Sequence, residues 1–122
     1  DDPCLITAMT LVESQFDPDA VRFEPDLGEA SVGLMQVLPS TAQWLHDDLG
    51  YQAKKLTQAS DLLTPEVGLY FGHAYVDWLS TYDGKSRDRQ WITESYNGGP
   101  GNSNNDTRRH WRRVSDALHG VC

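Results

Sequence analysis

The sequence has few cysteines, little positive charge and no long apolar segment. The two cysteines and four histidines among 122 residues show no metal-ligand spacing, so we expect neither a metal site nor a cofactor. The absence of any run of about 18 apolar residues excludes a transmembrane helix from this sequence. Ten Lys and Arg against eighteen Asp and Glu give a net charge of −8, which argues against nucleic acid as a partner, because binding phosphate requires a basic surface.

A length of 122 residues is typical of one compact domain, so residues 1–122 are predicted to form a single domain. Its charge is unevenly distributed. Residues 1–84 carry 14 acidic and 3 basic side chains, a net of −11, and residues 85–122 carry 4 acidic and 7 basic ones, a net of +3. The simplest interpretation is a solvated acidic surface with a basic last third, and the alternative is a groove lined by side chains of opposite charge.

The two cysteines, Cys4 and Cys122, lie at opposite ends of the sequence. Chain termini are often close together in a domain, which favours a disulfide between them. Such a bond indicates an oxidising compartment and predicts an extracytoplasmic, secreted or periplasmic protein. The alternative is a pair of free thiols.

Helical periodicity dominates the chain, and strand-like alternation is nearly absent. Asp2 is suited to cap a helix and Pro3 to its first turn, so the first helix begins here. The predicted helices span residues 3–16, 39–49, 65–82, 87–97 and 106–119, and a long loop covers 21–32. The fold class is therefore all-α, or an α-rich α+β fold.

Glu13 interrupts the apolar stripe of the first predicted helix. At about 100° per residue, it falls between Met9 and Ile6, on the face shared by Leu5 and Val12. Desolvation there disfavours the charged form of a carboxyl group, and a carboxylic acid that keeps its proton is what a general acid requires. A buried salt bridge or helix cap is the alternative interpretation.

Four segments in order resemble the catalytic domain of the Slt-type lytic transglycosylases, a lysozyme-like superfamily related to goose-type lysozymes. Glu13-Ser14 matches the motif that carries the family's catalytic glutamate. The other matching segments are 31–37 with 39–42, 62–66 with Gly72 and Tyr75, and 95–101. Together, in this order and spacing, these motifs are highly specific, and the resemblance covers most of the chain.

The sequence departs from the family pattern at two positions. His110 stands where the family usually has the tyrosine of a Thr-x-x-Tyr motif, and Ser95 stands where it usually has alanine. The first departure affects a position that lines the family's site, so a hydroxyl contact with substrate is absent there. The second replaces one small residue by another.

The resemblance implies a lysozyme-like fold with a central catalytic helix. It also implies cleavage of the β-1,4 bond between N-acetylmuramic acid and N-acetylglucosamine in peptidoglycan, or in a related N-acetylhexosamine polymer. Glu13 is implied as the general acid and then the base of a non-hydrolytic reaction that gives a 1,6-anhydromuramoyl product. The implied substrate-binding residues are Ser31, Gly33, Leu34, Met35, Gln36, Tyr96, Asn97 and His110.

Two other functions remain open. A goose-type-like lysozyme or a chitin hydrolase would use a second carboxylate to position water, and Glu24, Asp26 or Glu29 of the predicted loop is suited to supply it. A glycan-binding module without activity is the other alternative, because His110 departs from the family pattern. Glu94 is predicted to be a structural hydrogen-bonding partner. We expect a monomer.

Overall fold

The computed structural model describes residues 2–122, which are mainly helical. The α helices are α1 Pro3–Ser14, α2 Pro39–Asp47, α3 Pro65–Ser80, α4 Arg89–Gly98 and α5 Asn105–Val121. Two strands, β1 Val21–Glu24 and β2 Glu29–Val32, and the short 3-10 helices Ala59–Leu63 and Tyr82–Gly84 complete the described elements. The five predicted helices are confirmed, each boundary lying within two residues of its expected place.

The loop predicted at residues 21–32 is wrong, because these residues form an antiparallel hairpin. Val21 pairs with Val32 and Glu24 with Glu29, and Gly28 takes the left-handed backbone conformation that ends the turn, with φ 69°. Sequence patterning missed β1 because its apolar side chains are not buried. Val21 and Phe23 are 60% and 64% exposed, so the usual alternation of core and solvent faces is absent.

The described residues divide into two compact units, and the single domain stays a prediction. The first unit comprises residues 2–12 and Tyr75–Cys122. Asp2 fixes the start of this unit. Its Oδ1 accepts a hydrogen bond from Leu5 N at 3.2 Å. Its carboxylate also accepts hydrogen bonds from Arg89 Nε and Nη2 at 2.8 and 2.9 Å. The Cys4–Cys122 disulfide, predicted from the sequence, is present in this unit. Its buried apolar side chains are Leu5, Ala8, Met9, Val76, Leu79, Ile92 and Val114.

The second unit comprises Glu13–Ala74 and contains the hairpin, α2 and the first part of α3. Strand β2 lies against α2 and against the 3-10 helix Ala59–Leu63. The buried apolar side chains of this unit are Val32, Leu34, Met35, Val37, Ala42, Leu45, Leu56, Leu62, Phe71 and Ala74. Between residues 2 and 122, no helix combines the length and the hydropathy needed to span a bilayer.

Candidate active site

Glu13 lies in the last turn of α1 and is half-buried. The next residue, Ser14, donates a hydrogen bond from Oγ to the carbonyl oxygen of Leu34 at 2.7 Å. Gln15 and Phe16 then adopt left-handed backbone conformations, with φ of 53° and 62°, which end the helix. The candidate acid therefore stands at a helix end that is attached to the segment 31–37.

The segment 31–37 folds into a tight turn. Val32 and Val37 exchange two backbone hydrogen bonds of 3.0 and 3.1 Å, so residues 33–36 form its tip. Gln36 has φ 51°, a left-handed conformation that costs free energy for a residue other than glycine and is concentrated at functional sites. Its side-chain Nε2 donates to the carbonyl oxygens of Ala20 at 3.0 Å and Gly33 at 2.9 Å, which stabilises this conformation.

Glycines hold the turn close to its neighbours within the same unit. A Cβ atom on Gly33 would collide with the carbonyl oxygen of Leu62, and a Cβ atom on Gly72 would lie 2.6 Å from Met35 Cβ. Met35 is fully buried, and Leu34 is 9% exposed. The place of Met35 against Gly72 gives it a packing role in the core.

Ser31 and two acidic residues of the hairpin have defined partners. The buried Ser31 Oγ lies 3.0 Å from Glu24 Oε2 and 2.9 Å from Gln36 Oε1. Glu29 accepts hydrogen bonds from the backbone N of Ser40 at 3.0 Å and from its Oγ at 2.5 Å. Sequence analysis missed these contacts because they depend on the strand pairing of the hairpin, in which Ser31 lies opposite Arg22.

The predicted substrate-binding residues fall into two groups. Ser31, Gly33, Leu34, Met35 and Gln36 come together with Glu13 in the unit Glu13–Ala74. Tyr96, Asn97 and His110 belong to the first unit.

Tyr96, Asn97 and His110 differ in their surroundings. The ring of Tyr96 lies 5.2 Å from that of Tyr75, and burial, with a smaller effect of Tyr82, raises the pKa of Tyr75 above its ordinary value. Asn97 is exposed near the end of α4. His110 is buried on α5, with 8% of its surface exposed.

Glu94 is a structural hydrogen-bond acceptor, as the sequence predicts. It is 5% exposed, and its Oε1 accepts from Ser103 Oγ at 2.6 Å and Thr107 Oγ1 at 2.7 Å, while Oε2 accepts from Gln90 Nε2 at 2.8 Å. Burial acts to raise the pKa of Glu94, but these hydrogen bonds and the charge of Arg108 together lower it below its ordinary value.

Glu94 also borders a cavity of about 240 Å³, to which none of the predicted substrate-binding residues contributes.

Comparison with known proteins identifies the family. A family model described as the transglycosylase SLT domain matches residues 1–117. The chain belongs to this family. The resemblance predicted from the motifs is thereby confirmed. A search of curated protein sequences returned no significant match. Within residues 2–122, no group of three or more His, Cys, Asp or Glu side chains is arranged to hold a metal ion.

Two solved structures of lytic transglycosylases share the fold of this SLT-family chain. An inactive glutamate-to-glutamine mutant of the lytic transglycosylase Slt from Pseudomonas aeruginosa is 25% identical, with a TM-score of 0.74 over 94% of this chain. The 70 kDa soluble lytic transglycosylase SLT70 from Escherichia coli is 23% identical, with a TM-score of 0.61 over 93%. This chain spans 20% and 16% of the lengths of those two proteins. The α-rich fold class is confirmed.

Proposed function

We propose that this SLT-family chain cleaves the β-1,4 bond between N-acetylmuramic acid and N-acetylglucosamine in peptidoglycan, with Glu13 as the catalytic residue. The observation that carries the proposal is the family match over residues 1–117, which includes the Glu13-Ser14 motif. The hydrogen bond from Ser14 to Leu34 supports a fixed position for Glu13. The inactive mutant of the Pseudomonas aeruginosa relative, in which glutamine replaces glutamate, supports the need for a glutamate in such enzymes.

The proposed reaction uses Glu13 first as an acid and then as a base. Its carboxyl group gives a proton to the glycosidic oxygen, the bond to the anomeric carbon breaks, and the muramoyl ring gains oxocarbenium character. The 6-hydroxyl oxygen of the same sugar bonds to the anomeric carbon, and its proton passes to the Glu13 carboxylate. The products are a free 4-hydroxyl and a 1,6-anhydromuramoyl end, and no water is consumed.

The surroundings of the hairpin acids support this mechanism over hydrolysis. A hydrolase needs a second carboxylate to position water or to act as nucleophile. Glu24 contacts Ser31 and Glu29 contacts Ser40, so both carboxylates already serve as acceptors within the fold. The remaining acid of the hairpin, Asp26, is exposed in the turn.

The proposed glycan contacts lie in the unit Glu13–Ala74. Gln36, partly exposed at the tip of its turn, presents a polar group suited to acetamido and hydroxyl groups. The Ser31 hydroxyl and the carbonyl oxygens of Gly33 and Leu34 already have partners within the fold, so their contacts with the glycan stay predictions. Met35 supports the turn by packing against Gly72, and its contact with sugar stays a prediction. Contacts from Tyr96, Asn97 and His110 also stay predictions.

An extracytoplasmic location completes the proposal. The Cys4–Cys122 disulfide supports it, because disulfides persist in oxidising compartments and are rare in the cytosol. Peptidoglycan is the proposed partner, and we expect the chain to act as a monomer. Size-exclusion chromatography with light scattering measures the mass in solution and so tests whether the chain is a monomer.

The deciding experiment is mass spectrometry of purified peptidoglycan digested by the wild type, Glu13→Gln and Glu66→Gln. Glu66 is an exposed residue in the first turn of α3, so Glu66→Gln is the matched control. We expect anhydromuramoyl ends from the wild type and the control. Glu13→Gln should lose roughly 10²- to 10⁴-fold in rate, as for removal of a general acid, with an unchanged circular dichroism spectrum.

Other products would replace this proposal. Reducing muramoyl ends, one water heavier, would identify a lysozyme. Release of products from chitin alone would identify a chitin hydrolase. Glycan binding without bond cleavage by the wild type would identify a binding module. Full activity of Glu13→Gln would remove Glu13 from the reaction.

A further inference from the structure

Ser31 has more hydrogen-bond acceptors around it than its hydroxyl can satisfy. Its Oγ lies 2.9 Å from Gln36 Oε1, 3.0 Å from Glu24 Oε2 and 3.3 Å from the carbonyl oxygen of Arg22. A hydroxyl group has one hydrogen to donate. Ser31 is 5% exposed, so solvent has little access to its hydroxyl, and the direction of that one hydrogen decides which acceptor is satisfied.

The orientation of the Gln36 amide is fixed by its other contacts. Its Nε2 donates to the carbonyl oxygens of Ala20 and Gly33 at 3.0 and 2.9 Å. Exchanging the nitrogen and the oxygen would place an oxygen against two carbonyl oxygens, so the exchanged orientation is excluded. Gln36 Oε1 therefore faces Ser31 and is an acceptor with no hydrogen of its own to offer.

Glu24 is the stronger competitor for the Ser31 hydrogen. A carboxylate accepts a charge-assisted hydrogen bond, which is about twice as strong as a bond to a neutral amide oxygen. The Glu24 side chain is 30% exposed, so its carboxylate also stays in contact with water. The hydrogen of Ser31 then points to Glu24, and Gln36 Oε1 receives none.

We propose that Glu24 is a positioning residue that draws the Ser31 hydrogen to itself and so keeps Gln36 Oε1 open for a hydrogen-bond donor of the glycan. The donor class is an acetamido N–H or a sugar hydroxyl, and the inference therefore rests on the proposed function. Gln36 is partly exposed at the tip of its turn, which allows a ligand to reach it. Glu24 itself takes no proton from the substrate in this proposal.

Glu24→Gln tests the proposal because it reverses the hydrogen bond. A glutamine at this position can donate from Nε2 to Ser31 Oγ, which sends the Ser31 hydrogen to Gln36 Oε1. The substitution also removes the ion pair with Arg22, whose Nε lies 3.7 Å from Glu24 Oε2, and Arg22→Gln measures that effect separately. The open acceptor is then occupied before the glycan binds. Asp26→Asn is the matched control, because Asp26 is an exposed acid of the same hairpin and its substitution changes the charge equally.

The kinetic readout uses a soluble oligosaccharide of alternating N-acetylglucosamine and N-acetylmuramic acid. Glu24→Gln should raise KM by about two- to tenfold, the value of one hydrogen bond, and leave kcat within about twofold. In a Ser31→Ala background, Glu24→Gln should change KM by less than about twofold, since the hydroxyl through which it acts is gone. Equal KM values for Glu24→Gln and Asp26→Asn, or an undiminished effect in the Ser31→Ala background, would overturn the proposal.

A second readout does not depend on activity. The side-chain carbonyl ¹³C resonance of Gln36 moves downfield when its oxygen accepts a hydrogen bond. The Gln36 resonance of the wild type should have the same chemical shift as that of Ser31→Ala. The Gln36 resonance of Glu24→Gln should lie downfield of both. A wild-type resonance that instead matches Glu24→Gln would show that Gln36 already receives the hydrogen, which overturns the inference. An inactive wild type with the expected resonances would refute the proposed function and leave the direction of this hydrogen bond supported.

Discussion

At the scale of single residues, Gly72 determines how closely α3 approaches Met35. A Cβ atom on Gly72 would lie 2.6 Å from Met35 Cβ, and Met35 is fully buried. Alanine normally stabilises a helix by about 1 kcal/mol relative to glycine, but overpacking a core costs about 1–3 kcal/mol. We expect Gly72→Ala to lower the free energy of unfolding by up to about 2 kcal/mol in urea denaturation.

The control for Gly72→Ala is Gly120→Ala in α5. No atom lies within 4 Å of a Cβ built at Gly120, so this substitution should be neutral or stabilise by up to about 1 kcal/mol. Equal effects of the two substitutions would show that helix propensity, not the contact with Met35, sets the outcome.

Glu94 should make the stability of the folded protein depend on pH in the acidic range. Because its pKa in the folded protein is lowered, Glu94 stabilises the fold above its unfolded pKa, and this stabilisation is lost as the pH falls through the folded value. Glu94→Gln should therefore destabilise the protein by about 1–3 kcal/mol at pH 7. The difference in stability between Glu94→Gln and the wild type should shrink as the pH falls below about 4.3.

Thermal unfolding between pH 3 and pH 7 measures this dependence. The control is the Glu66→Gln variant, because Glu66 is exposed. Its Tm should differ little from that of the wild type. A Glu94→Gln difference that stays constant over the whole pH range would contradict an ionised, hydrogen-bonded Glu94.

At the scale of secondary structure, helices were predictable and the hairpin was not. The periodic pattern of α3 and the breakers around it are local, so sequence alone predicts its bounds to within two residues. The hairpin turn 25–28 carries Pro-Asp-Leu-Gly, a turn-forming sequence. Each strand has only four residues, and the apolar side chains of β1 are exposed. The period-2 signal is therefore too short, and β1 has no buried face.

The start of α5 shows how side chains set a helix boundary. The sequence predicts that this helix begins at residue 106, but Asn104 caps it by accepting from Asp106 N at 2.9 Å and Thr107 N at 3.0 Å. Thr107 Oγ1 in turn accepts from Asn104 N at 2.8 Å. Threonine replaces the glutamate or glutamine usual in a capping box, so the pattern was not visible beforehand.

Strand β2 stabilises the start of α2 through Glu29. Leu38, the residue that precedes this helix, has no side-chain cap, and Glu29 supplies the acceptor for Ser40 N and Oγ instead. Glu29→Ala should therefore lower the free energy of unfolding by about 0.5–2 kcal/mol, as for loss of a helix cap. Amide hydrogen exchange at Ser40 should accelerate in parallel.

The nearby Asp26→Ala substitution separates this cap from a general charge effect. Asp26 is exposed in the hairpin turn, so its substitution should stay within about 0.5 kcal/mol of the wild type. Similar losses of stability for both substitutions, or unchanged exchange at Ser40, would refute the capping role of Glu29.

At the scale of the whole molecule, the family and the helix content follow from local sequence, whereas the network around Ser31 does not. Glu13 and the segment 31–37 are recognisable as motifs because each is contiguous in the chain. The contact of Glu24 with Ser31 and that of Glu29 with Ser40 join residues 7 and 11 positions apart. Such pairs form only once strand register is fixed, and a slip of one residue would turn every side chain to the other face.

The Cys4–Cys122 disulfide connects residues 118 positions apart, so it restricts almost the entire unfolded chain. The loop-entropy model gives about 4–5 kcal/mol for a loop of this length. We expect Cys4→Ser with Cys122→Ser, or reduction of the wild type, to lower Tm by about 10–25 °C, measured by calorimetry with and without dithiothreitol. The double variant should be insensitive to the reductant and should retain activity below its own Tm, because neither cysteine takes part in the proposed chemistry. A wild-type Tm that stays constant on full reduction, verified by thiol titration, would mean that the folded state gains no stability from the closed loop.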